Sequence, residues 1–134
     1  MIETENNEVT DSNENINDDS KIDKPIVTSD IGKEYFDGNI NGNYEEGCIA
    51  VEVRYNSPKK IIEFTPEHFP DIDIESFHHG YRKGPDETKD GMYNQTLHIK
   101  LKDKDEKTLL ESIKKLEKLD FVKSAEPDYR YVLF

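Results

Sequence analysis

The chain has 134 residues, of which 33 % are hydrophobic and 36 % charged, and a formal net charge of −12. That supports one modest core and excludes a large multidomain enzyme. Thirty acidic residues against 18 basic ones speak against a nucleic-acid partner, since phosphate binding needs clustered Lys and Arg.

A single cysteine, Cys48, excludes an internal disulfide framework and a thiolate zinc cluster. No apolar run approaches the roughly 18–20 residues of a membrane span, and the opening residues lack the pattern of a signal peptide.

Residues 1–30 hold nine acids and two lysines, a net of −7, which leaves −5 for the other 104 residues. That stretch has no aromatic residue and no apolar period, so residues 1–34 are expected to be a disordered acidic tail acting as a solvated spacer. Residues 35–43, rich in Gly and Asn, read as a linker, and residues 44–134 as the folded domain.

Within the domain, Ile49, Val51, Val53 and Tyr55 alternate with Ala50, Glu52 and Arg54, the period of a half-buried strand that ends at Asn56-Ser57-Pro58. Thr65-Pro66-Glu67-His68-Phe69-Pro70 allows a short helix, capped by Thr65 and stopped by Pro70. Ile72 and Ile74 begin a second strand, and because Phe77 falls out of phase with them, a bulge or an end is expected near Ser76. Gly84 to Gly91 form a charged loop.

Leu97, Ile99 and Leu101 alternate with Thr96, His98 and Lys100 as a third strand. Asp103 or Asp105 can cap the helix that follows, whose apolar stripe is Leu109, Ile113 and Leu116, with Leu110 nearby. Tyr129, Tyr131 and Leu133 suggest a closing strand through residue 134, entered through Val122 to Pro127.

The order strand, short helix, strand, strand, helix, strand predicts an α+β, ferredoxin-like βαββαβ fold. Its four-stranded antiparallel sheet would have two helices on one face and the first and third strands in the middle. The other face would carry Glu52, Arg54 and His98, with Ala50, Thr96 and Lys100, toward solvent or a partner.

Few motifs carry chemistry. Asp37, Asn39, Asn41 and Gly42 fit the first half of a calcium loop, but position 12 is Cys48 rather than a carboxylate. A plain Asn-Gly turn explains them as well, so calcium is the weakest reading and no cofactor is otherwise expected.

His78-His79 is a poor metal pair, since strand neighbours point to opposite faces, and reads as a surface pair at a strand end. No serine lies in a nucleophile elbow, and Cys48 has no activating context. The sequence also lacks a phosphate loop and an RNA-binding motif. The chain is therefore read as not an enzyme.

The segment Leu116 to Tyr131, and above all Ala125-Glu126-Pro127-Asp128-Tyr129, resembles the closing helix and strand of subtilisin-like protease propeptides of the fervidolysin type. Glu46-Gly47-Cys48-Ile49-Ala50-Val51 is similar to the opening strand of that family. Phe64 to Pro70 is similar to a turn in its stand-alone secreted bacterial relatives.

The resemblance, which covers residues 44–134, implies a non-catalytic domain that binds a subtilase by its open sheet face and serves as an inhibitor or folding aid. Asp86 and Glu87 would approach helix N-termini of the enzyme, where negative charge is favoured. Val132, Leu133 and Phe134 would lie in its cleft, with Phe134 in an apolar pocket.

Export to the cell envelope or beyond follows from the same resemblance, with any signal outside these residues; the cytoplasm is the other compartment that the sequence allows. The partner would be a subtilisin-like protease or another secreted protein. The reading from a different class is a structural or spacer domain of a surface protein with no protease partner. The sequence leaves the oligomeric state open.

Overall fold

The alternation that begins at Ile49 becomes the centre of an antiparallel sheet. In the computed structural model, which describes residues 23–28, 32–56 and 61–129, strands β1 (Cys48–Tyr55), β2 (Ile74–Lys83), β3 (Tyr93–Leu101) and β4 (Val122–Pro127) surround one helix, α1 (Glu106–Glu117). The sheet order is β2-β3-β1-β4, so the first and third strands are central.

One face of the sheet is the core. Ile49, Val51, Val53 and Tyr55 of β1 and Leu97, Ile99 and Leu101 of β3 are buried in one cluster with Leu109, Ile113 and Leu116 of α1. The helix stripe thus lies on the residues that the strand period assigns inward. Asp105 occupies the N-cap position of α1 without a side-chain bond. Asp103 braces the turn that leads into the helix: its carboxylate accepts from the Asp105 N–H at 2.9 Å and from the Thr108 hydroxyl at 2.8 Å.

Among the described residues there is one helix, and the expected two-helix layer is corrected to that. The Thr65–Pro70 segment makes only a single 3₁₀ turn, Pro66–His68. Pro70 disfavours helical geometry at Phe69, so the turn cannot grow into a helix. The rest of the roof is irregular chain that fills the core with Ile62, Phe64, Phe69 and Ile72. Phe64, Phe69 and Phe121 meet there with ring centroids 5.7–6.5 Å apart.

The closing strand is also corrected. It is Val122–Pro127, and Tyr129 lies beyond it; residues 130–134 fall outside the described residues. The ladder between β1 and β4 shifts register between Glu52 and Val53, so Val122 and Ala125, three apart, are both buried. A bulge of this kind erases the period that marks a strand in sequence. Pro127 pairs with Ile49, while the adjacent Asp128 N–H donates to the Cys48 carbonyl at 3.0 Å. Pro127 therefore sits at a non-hydrogen-bonded position, where its missing N–H costs nothing.

In β2 the expected irregularity is present as a register shift between Ile74 and Ser76. The strand continues to Lys83, so His78 and His79 are mid-strand rather than at a strand end.

Part of the segment assigned to the tail lies along the domain. The Ile26 carbonyl accepts from the Asn56 N–H at 2.6 Å, and the Lys33 ammonium donates to the carbonyls of Leu119 and Val122 at 2.8 and 2.7 Å. His68 bridges to this segment. Its Nδ1 accepts from the Thr65 N–H at 3.0 Å, so Nε2 carries the proton and donates to the Asp23 carbonyl at 2.8 Å. The expected tail residues 1–22 and 29–31 lie outside the described residues.

Candidate functional site

Among the described residues no helix covers the second face of the sheet. From β1 it presents Cys48, Ala50, Glu52 and Arg54, and from β3 Asn94, Thr96, His98 and Lys100, as the alternation requires. Its two ends differ in chemistry.

At one end Arg54 is 0 % exposed, beside its ladder partner Asn94. Asn94 accepts from the Lys123 ammonium at 3.4 Å and donates to Asp90 at 3.4 Å. Arg54 is therefore part of the internal packing, contrary to the expectation that it faces a partner. Glu52, next along the same face, is half-buried.

At the other end His98 Nδ1 lies 3.1 Å from Asp128 Oδ2, and Asp128 is 1 % exposed. Cys48, Ser76, His78, His98, Lys100 and Asp128 line a cavity of about 190 Å³ there. Burial, with help from Glu45, pushes the Cys48 thiol up to about 11. A thiol so protonated at neutral pH is a poor nucleophile.

Asp86 and Glu87 lie in an exposed 3₁₀ turn, Pro85–Glu87, between β2 and β3. The Glu87 carboxylate is committed locally, accepting from the Gly84 N–H at 2.9 Å and the Tyr81 hydroxyl at 3.3 Å. This loop lies at the Arg54 end of the sheet, because Lys83 pairs with Asn94 and Asn94 with Arg54. The C-terminal end of β4 lies at the opposite end, beside Ile49. Val132, Leu133 and Phe134 lie outside the described residues.

Asp37, Asn39 and Asn41 share a cavity of about 270 Å³ with Glu34, Glu126 and Tyr129. Their polar groups are partly turned to other uses: Asp37 Oδ1 accepts from the Asn39 N–H at 2.8 Å, and the Asn41 N–H donates to the Tyr129 hydroxyl at 3.1 Å. Among the described residues no group of three or more His, Cys, Asp or Glu is arranged to hold a metal ion.

Within the family-like motif, Ala125 and Pro127 are buried, Glu126 is exposed, and Asp128 orients His98. That last role was not foreseen from sequence. Nor was the pairing of His78 with His98 across β2 and β3. Alternation puts each on the open face, but register across strands has no local sequence signal.

Among the described residues these features define an α+β protein with a single helix on one side of its sheet and a polar face on the other. No family model matches the chain, and no curated protein or solved structure matches it either. Among the described residues no helix is long and apolar enough to cross a membrane.

Proposed function

We propose that this chain is an exported, non-catalytic protein-binding module of the subtilase-propeptide kind, which holds a subtilisin-like protease against its open sheet face and inhibits it or aids its folding. The observation that carries the reading is the motif Ala125-Glu126-Pro127-Asp128-Tyr129 at the end of an edge strand next to that face. The four-stranded antiparallel sheet of order β2-β3-β1-β4, with β1 and β3 in the middle, supports the same reading.

Two further features fit. Asp86 is exposed in the loop at the far end of the face, available to a helix N-terminus of a partner. β4 ends at Pro127, so Val132, Leu133 and Phe134 follow the strand in the sequence, and in this reading they enter the cleft of the enzyme while the sheet is bound.

The test is a titration of the full chain against a panel of subtilisin-like proteases at nanomolar enzyme. Saturable inhibition by at least one member, weakened by deletion of Phe134, is the expected result. Absence of inhibition across the panel would remove the inhibitor reading and favour the spacer.

A further inference from the structure

Sequence neighbours His78 and His79 point to opposite faces of β2, yet the fold gives His78 a different partner. The ladder places His78 directly opposite His98 of β3, and both line the cavity at the Cys48 end of the open face. Directly opposed residues of antiparallel strands hold their Cβ atoms about 4.5–5.5 Å apart, within the span over which two imidazoles can share one ion.

His98 is prepared for such a task. A carboxylate can only accept, so the 3.1 Å contact with Asp128 places the ring proton on Nδ1 and leaves the Nε2 lone pair available in the neutral ring. Asp128 is buried, which keeps this orienting bond out of water. A carboxylate behind an imidazole is the arrangement that fixes tautomer and ring direction in metal-binding histidines.

The side of the ring toward β2 is kept clear by Gly80. A Cβ at that position would lie 3.3 Å from His98 Nε2 and 2.8 Å from the Thr96 carbonyl oxygen. His78 itself is exposed and able to turn toward the same point.

We propose that His78 and His98 together bind a late first-row divalent cation of the zinc or nickel class, with water completing the coordination. Imidazole nitrogen suits these ions, whereas calcium and magnesium require oxygen ligands. Because the protein supplies two ligands rather than the three or four of a catalytic or structural centre, the ion is exchangeable and more weakly held than in such a centre.

The site is tested by calorimetric titration of the full, untagged chain with zinc chloride and nickel chloride. The expected result is one saturable site, weakened about tenfold or more in His78→Ala and similarly in Asp128→Asn, with His79→Ala binding as wild type. His78 is exposed, so its variant should keep the fold, which circular dichroism checks; selective broadening of the His78 and His98 ring signals by nickel gives a second readout. Absence of saturable binding in the wild type, or His78→Ala binding as tightly as wild type, would overturn the proposal.

Discussion

Carboxylates in this protein are pulled in opposite directions by their surroundings. Asp103 holds its proton less tightly than usual because the Asp105 N–H and then the Thr108 hydroxyl bind its charged form. Its stabilising effect is present above the ordinary aspartate value of 3.8 and fades as pH falls through its lowered value. Glu126 holds its proton more tightly, first through desolvation and then through the carboxylates of Glu34 and Asp128.

For Glu126 the sign reverses. The folded state binds the proton better than the unfolded one, so stability falls as pH rises from the ordinary glutamate value of 4.5 through the raised one. Glu126→Gln should therefore raise the melting temperature at pH 7, and the advantage should vanish below pH 4.5. Solvent screening limits the gain to a fraction of about 1 kcal/mol. Thermal melts of both proteins from pH 4 to pH 8 check the direction.

At the level of elements, α1 was legible because its stripe is strict: Leu109, Ile113 and Leu116 are 0–1 % exposed and lie at helical spacing. Leu109→Ala should cost about 2–5 kcal/mol through lost burial and a residual cavity, whereas Leu110→Ala, at a half-exposed position, should cost less than about 1 kcal/mol. Urea denaturation of the two variants measures the difference.

The elements that were misplaced have physical reasons. β4 hides because the bulge opposite Glu52 and Val53 puts Val122 and Ala125 on one face at a spacing of three, whereas the clearer alternation in the sequence begins at Tyr129, beyond its end. The missing second helix follows from Pro66 and Pro70, which confine that segment to a three-residue turn. Its place in the core is taken by aromatic side chains whose packing leaves no periodic trace.

At the scale of the whole molecule, the net charge of −12 divides into −7 for residues 1–30 and −5 for the remainder, so the domain itself is only mildly acidic. Which residues share the open face could be read from alternation on β1 and β3. Which of them meet could not, because the His78–His98 and Arg54–Asn94 pairs depend on strand register. Arg54 shows the limit of such reading, since a charged residue on that face proved to be buried.

The central claim is that the open face is where a protease partner sits. Thr96 stands at the middle of that face, opposite Glu52, while Glu111 is exposed on α1, on the other side of the sheet. The deciding measurement is the dissociation constant of Thr96→Arg, compared with Glu111→Arg, for a subtilisin-like protease that the wild-type chain inhibits. A loss of at least about tenfold for Thr96→Arg, with Glu111→Arg unchanged, is the predicted result. Thr96→Arg binding as tightly as wild type would contradict the account.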